Sequence, residues 1–219
     1  MSILDLLTDE DEELEKANQI NGVVVGIVTN NKDPDGMGRI KVTFPTLSDD
    51  DESFWARMST LMAGKDRGSF FLPEVEDEVL VAFGHGDIDD PYIIGALWNG
   101  VDTPPETNSD GKNNIRKIKS RSGHEIILND EKQKEKLEIH TNKGHTITLD
   151  DSAGAEKISI IDKTEKNLIE IDSVQNSIKI ESTMKLNIKS KMVEIESDGM
   201  MTLKAGATLT LQGALIKIN

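Results

Sequence analysis

Cysteine is absent from all 219 residues, which removes any disulfide framework, thiolate metal ligand or thiol nucleophile. No run approaches 18 apolar residues, so the sequence encodes no membrane-spanning helix. The segment from Met1 to Leu7 lacks the basic cluster that opens a secretory signal, and synthesis in a cytoplasm is expected. Positive charge is in deficit: 25 Lys and Arg against 40 Asp and Glu leave −15, a poor match for phosphate backbones, and no nucleic-acid partner is expected. Aromatic residues and proline are scarce, and their distribution is uneven. The eight aromatics, Phe44, Phe54, Trp55, Phe70, Phe71, Phe83, Tyr92 and Trp98, are confined to positions 44–98, and all six prolines lie at or before Pro105.

What is present divides along the chain. Residues 1–18 carry seven acids and one base, whereas 115–219 carry sixteen acids and seventeen bases. Residues 1–18 read as an acidic N-terminal extension: Thr8 as the cap of a short helix, with Ile3, Leu4, Leu6 and Leu7 as an apolar hook. A frayed acidic tail is the equally weighted alternative. Thr103-Pro104-Pro105 opens a polar stretch that marks 103–114 as a linker.

Residues 19–102 read as an all-β barrel. Strand candidates are 22–28, 38–44, 53–58, 68–72, 78–82 and 92–97, separated by turn signals such as Asp33-Pro34-Asp35-Gly36 and Asp89-Asp90-Pro91. Short strands in about eighty residues, with no helical periodicity, point to a small closed barrel of the OB type, because closure removes exposed edges.

Residues 115–219 differ in kind. Aliphatic pairs two apart recur from Ile126/Leu128 to Ile216/Ile218, each placing two apolar side chains on one strand face. Early pairs are nine to eleven residues apart; from Ile178 the step shortens to seven or eight. Such a repeat indicates a β-helix or β-prism. Two inward side chains per strand build no core for one chain, and ordering roughly 100 residues costs on the order of 150 kcal/mol. Three chains about one axis would supply the core and the strand partners, so an obligate homotrimer is expected. A thin prism has no room for rings and no tolerance for proline, which accounts for their absence.

Candidate chemistry is sparse. Asp49-Asp50-Asp51-Glu52 offers carboxylates to a cation but lacks EF-hand spacing, and a solvated loop is preferred. Gly36-Met37-Gly38 follows a turn, not a strand-to-helix junction, so it makes no phosphate cradle. His85 reads as a structural turn residue. His124 and His145 occupy equivalent places in Ser122-Gly123-His124-Glu125-Ile126 and Lys143-Gly144-His145-Thr146-Ile147. In a trimer each would form a ring of three imidazoles able to hold a metal or anion; the preferred alternative is a half-exposed turn. No Ser, His and Asp constellation supports nucleophilic catalysis, so neither enzymatic activity nor a cofactor is expected.

Several ordered motifs carry a family resemblance. They are Gly38-Arg39-Ile40-Lys41-Val42-Thr43-Phe44-Pro45, Phe54-Trp55-Ala56-Arg57, Gly68-Ser69-Phe70-Phe71-Leu72-Pro73-Glu74-Val75, Glu78-Val79-Leu80-Val81, Gly84-His85-Gly86-Asp87 and Gly95-Ala96-Leu97-Trp98-Asn99-Gly100. Together they resemble the OB-fold of the VgrG and phage baseplate protein V (gpV) group of central spike proteins. The resemblance implies an N-terminal OB-fold barrel followed by a trimeric intertwined β-helix. It also implies a spike at the centre of a baseplate, in contact with hub and inner tube proteins, driven through a target envelope on sheath contraction, with effector cargo as a possible passenger. Neither a VgrG-type hub domain nor a lysozyme domain is found in the sequence, so the expected plan is the short gpV type of phages, tailocins and phage-derived injection particles. The hook at Ile3, Leu4, Leu6 and Leu7 would meet the hub. Self-pointed gpV relatives resemble each other in an HxH iron motif near the C-terminus, whereas no His follows His145 here. The expectation is therefore a separate PAAR-type tip protein on Leu215, Ile216, Lys217, Ile218 and Asn219. The alternative function is a carbohydrate- or envelope-binding OB module on a β-helical stalk, which requires exposed aromatics. Phe70, Phe71 and Trp98 are expected to pack instead.

Overall fold

In the computed structural model, which describes residues 19–47 and 51–218, the chain divides into two units, 1–112 and 113–219. The expected hook, Asp49, Asp50 and Asn219 lie outside the described residues.

The first unit is built on β1 (Val23–Asn30), β2 (Lys41–Thr43), β3 (Arg57–Met58), β4 (Ala63–Gly64), β5 (Arg67–Gly68), β6 (Glu78–Phe83) and β7 (Pro91–Ala96). Five of these form one sheet in the order β2-β1-β6-β7-β3, antiparallel except for the parallel β3–β7 pair. Its two edges meet. Ile40 bridges Ala56, with amide–carbonyl bonds of 3.0 and 2.8 Å in the two directions, and Thr43 bridges Glu52. The sheet therefore closes into a barrel with OB-type strand order. Alternation along β6 shows why these residues form it: Val79, Val81 and Phe83 point inward, while Glu78, Leu80 and Ala82 are half-buried. Val28, Ile40, Val42, Phe44, Ala56 and Ile93 complete the interior, and the Phe44 and Phe83 rings lie 5.4 Å apart. Gly26 lies where the strands approach most closely; a Cβ there would stand 3.2 Å from side-chain atoms of both Val42 and Val81.

Two expectations are corrected in this unit. The run 68–72 is not a strand: only Gly68 pairs, in the small β4–β5 hairpin, because the Lys65-Asp66 turn reverses the chain and Asp66 takes φ 54°. Of 53–58, only Arg57 and Met58 form a strand, preceded by the bridge at Ala56.

The second unit is a seven-stranded antiparallel meander: β8 (Ile115–Lys119), β9 (Glu125–Asn129), β10 (Lys136–His140), β11 (Thr146–Asp150), β12 (Lys157–Ile161), β13 (Asn167–Asp172) and β14 (Ser177–Ser182). Each strand pairs with its neighbour in sequence. Neighbouring copies are therefore not needed as strand partners across this stretch, contrary to expectation; alternation dictates a face but not a neighbour. The underlying period is 21 residues, two strands and two turns, as the equivalent turn positions Ser120, Thr141 and Asp162 show. Each of the six turns contains one residue in the left-handed region: Gly123, Gln133, Gly144, Gly154, Glu165 and Asn176. Among the described residues no strand follows Ser182, and residues 183–218 are exposed throughout.

Candidate functional site

Cross-strand register gathers the aliphatic pairs of the second unit into two parallel rows on one face. The first row is Ile118, Ile126, Ile139, Ile147, Ile160, Ile169 and Ile180. The second runs Leu128, Leu137, Leu149, Ile158, Ile171 and Ile178, with Arg116 on the β8 rung, where it pairs with Asp130. In the single chain this face is the uncovered one. From Ile126 to Ile171 each row member is 36–46% exposed, rising to 55% at Ile180 and 71% at Ile178 on the last strand. So large an apolar surface, with no polar group to break it beyond Arg116, marks a binding face.

The opposite face is held by charge. Lys117 and Lys119 reach Glu125 at 3.7 and 3.0 Å, Lys136 reaches Asp150 at 2.9 Å, and Lys157 reaches Glu170 at 3.5 Å. Asp150 is buried, which opposes ionisation. Bonds from Ser152 and Lys136 outweigh that burial and hold its pKa at about 2. At Asp162 burial likewise opposes ionisation, and donors from Thr164 and Asn167 bring the value down to about 2. Both carboxyls titrate near 3.8 when free, so the folded unit binds fewer protons than the unfolded chain as acid is added. This contribution is complete above about pH 4 and disappears as pH falls towards 2. An acid titration followed by far-ultraviolet circular dichroism is expected to show unfolding steepen in that window, and Asp150→Asn should flatten it.

His124 and His145 belong to the turns. The His124 amide donates to Ser120 Oγ at 3.0 Å, and that of His145 to Thr141 Oγ1 at 3.0 Å. Their Nδ1 atoms accept from the amides of Asn142 and Lys163, at 3.4 and 3.2 Å, each 18 residues onward. Each ring thus fastens its turn to the next turn on the same edge; the matched segments placed both rings in turns but did not identify the donor amides. Among the described residues no three His, Asp or Glu side chains converge to hold a metal ion. Leu215, Ile216, Lys217 and Ile218 are exposed, as is the rest of the stretch after Thr183.

In the barrel, Phe70, Phe71 and Trp98 are strongly exposed in the single chain, contrary to the expectation that they pack. Phe70 and Phe71, with Met37, Met58, Met62 and Arg57, line a groove of about 660 Å³ between the 33–39 loop and the β4–β5 hairpin. Asp33 organises that loop. It takes Arg39 Nε at 2.9 Å and Nη2 at 2.7 Å, accepts three backbone amides, and is held well below the usual carboxylate range chiefly by Arg39. Arg39 and Lys41 both approach the Trp55 ring, at 5.9 and 5.6 Å from its centre. Arg57 stacks on Tyr92 at 4.6 Å and donates to its hydroxyl, which bonds Asp90. Glu52 is tied to Lys41 and Thr29 at 2.6 Å each. His85 sits in a tight turn with φ 53°.

Comparison with known proteins bears on the first unit above all. Residues 24–98 match the family described as the Type VI secretion system/phage-baseplate injector OB domain. The type VI secretion system spike protein VgrG1a of Pseudomonas aeruginosa is 36% identical over 129 residues, 54% of this chain and 20% of that protein. Spike protein VgrG3 of Vibrio cholerae is 32% identical over 114 residues, 48% of this chain and 11% of its own length. The actin cross-linking toxin VgrG1 of Vibrio cholerae is 31% identical over 114 residues, covering 48% and 10%. The chain thus spans a fifth or less of the curated relatives it matches. A barrel of OB topology thus lies under the family match, and over residues 24–98 the chain is similar to the OB domain of type VI secretion and phage-baseplate injector proteins.

Proposed function

We propose that the chain is the structural central spike of a contractile tail or injection-system baseplate. It would work as a homotrimer that pierces a target envelope on sheath contraction and carries a tip protein. The observation that supports this most is the uncovered double row on the second unit, followed by an exposed stretch, 183–218, that forms no strand among the described residues. Two further copies would bury both. Burying a half-exposed aliphatic side chain contributes on the order of 1 kcal/mol, and thirteen row members per chain make the gain large. On this reading the chain performs mechanical work rather than catalysis: ladders of hydrogen bonds and a dry apolar interior resist axial load. It would be made in the cytoplasm and built into the particle against hub and inner tube proteins, with residues 1–18 available for the hub. Native mass spectrometry is expected to find three times the 24.1 kDa chain mass, persisting in mild detergent. A well-folded species of single-chain mass would refute the trimer.

A PAAR-type tip protein would dock on Leu215, Ile216, Lys217, Ile218 and Asn219 of three chains, where the last aliphatic pair is exposed. Replacing Ile216 and Ile218 with Asp is expected to abolish capture of a PAAR-type partner while leaving the trimer mass unchanged, since the rows lie earlier in the chain. Loss of both together would assign these residues to trimer assembly.

Exposure of Phe70, Phe71 and Trp98 supports the second reading, a carbohydrate- or envelope-binding barrel. The two separate in one measurement: glycan or envelope binding abolished by Phe70→Ala favours the module, whereas unchanged binding assigns the ring to contacts within the particle.

A further inference from the structure

We infer that residues 1–18 fold back onto the barrel of their own chain. The hook Ile3, Leu4, Leu6 and Leu7 then occupies the groove between the 33–39 loop and the β4–β5 hairpin. This concerns the first unit alone and does not depend on the oligomeric reading above.

The walls of the groove are set by close packing. Gly68 fixes the hairpin side: a Cβ there would stand 2.6 Å from the Met62 carbonyl. Arg67 lies back across Gly64, its Nε 2.8 Å from where a Cβ would be. On the loop side, Phe70 comes within 3.4 Å of the corresponding point on Gly38. Between these walls Phe70, Phe71, Met37 and Met62 leave apolar surface open to water. Methionine side chains adapt readily to irregular aliphatic shapes.

Charge selects the occupant. Residues 19–102 carry fifteen acids and six bases. Arg39 and Lys41 are neutralised by Asp33 and Glu52. Arg57 and Arg67, which line the groove, and Lys65 at the hairpin turn meet no carboxylate among the described residues. Half of the barrel's bases are thus gathered, without counter-charge, around one apolar groove. An acidic segment with a short aliphatic run fits it. Residues 1–18 have that composition in that arrangement: Ile3-Leu4-Asp5-Leu6-Leu7 is followed by Asp9-Glu10-Asp11-Glu12-Glu13.

Reach is no obstacle. At the first described residues, the Ile20 amide donates to the Gly86 carbonyl at 2.9 Å, which anchors the chain on the β6–β7 turn. Eighteen residues extend up to about 60 Å, whereas a domain of this size is about 30 Å across. Tethering raises the local concentration of the segment to roughly the millimolar range, so it prevails over a free ligand of similar affinity. A hub that takes the hook would have to draw it out of the groove.

Hydrogen exchange followed by mass spectrometry on the full-length chain tests this, with a synthetic peptide of residues 1–18 as the unbound reference. Residues 3–13 are expected to exchange roughly tenfold more slowly in the protein than in the peptide. Phe70→Ser with Phe71→Ser, or Leu6→Asp with Leu7→Asp, should restore the peptide rate while β6 and β7 keep their protection. Exchange of 3–13 at the peptide rate in the unaltered chain would leave the groove to a glycan or another protein and overturn the inference. Slow exchange that survives the Phe70 and Phe71 changes would overturn it too. Because the chain has no cysteine, Leu6→Cys with Met37→Cys identifies which barrel is used. After mild oxidation an internal disulfide is expected, with both thiols blocked at single-chain mass on a denaturing gel. Covalent dimers would give the groove to the segment of a second copy and overturn own-chain docking. Thiols that stay free to alkylation would overturn the contact itself.

Discussion

Ile147→Asp combined with Ile160→Asp is expected to reduce the assembled protein to single chains. The two residues are cross-strand partners in the middle of the first row, and both are partly exposed in the lone chain. There the aspartates meet water and cost little. Enclosed between copies they would be unpaired charges in an apolar interior, each costing several kcal/mol, which exceeds what the surrounding contacts can offset. Native mass reports the outcome, and Thr148→Glu on the opposite face serves as the control that should leave it unchanged. Retention of the trimer by the double variant would show that the apolar face is not the interface. A folding artefact is distinguishable by far-ultraviolet circular dichroism, which reports the strands of the second unit, whereas all eight aromatics belong to 44–98 and near-ultraviolet circular dichroism reports the barrel alone.

Ile93→Ala should have the largest effect on the barrel. Ile93 is completely buried on β7 among Val79, Val81 and their neighbours, so truncation leaves a cavity with little freedom to collapse. A loss of about 3 kcal/mol is expected, read from the fluorescence of the barrel tryptophans Trp55 and Trp98 during chemical denaturation. A change below about 1 kcal/mol would mean that the interior relaxes around the missing methyls.

Much of this architecture was legible before any coordinates. β-branched alternation announced β1, β6 and β7, and spacing two apart identified every member of both rows except Ile118. What escaped was relational. Alternation along Leu137-Glu138-Ile139 says that two residues share a face, but not that Leu128 and Leu149 flank Leu137 in the same chain. Gly123, Gly144 and Gly154 marked turns by composition, whereas Gln133, Glu165 and Asn176 reach the same backbone region with side chains that give little or no warning. Phe70-Phe71-Leu72 looked like a strand because its residue types favour one; the small residues around Lys65-Asp66 made the hairpin instead. At the candidate site, the repeated Gly-His dipeptide was visible, but the acceptor role of each ring depends on an amide 18 residues away.

The 21-residue period gives the sheet a unit of length. Excising residues 136–156 would bring Lys157 to the place of Lys136, Ile158 to that of Leu137 and Ile160 to that of Ile139. Both rows would stay continuous, every turn would keep its side, and the open edge of β14 would remain the last strand. Duplicating the same block would do the reverse. Each unit gained or lost changes the stack by two strands, roughly 10 Å. Evolution can therefore lengthen or shorten such a sheet in whole steps, by gain or loss of structurally equivalent blocks, without breaking either row.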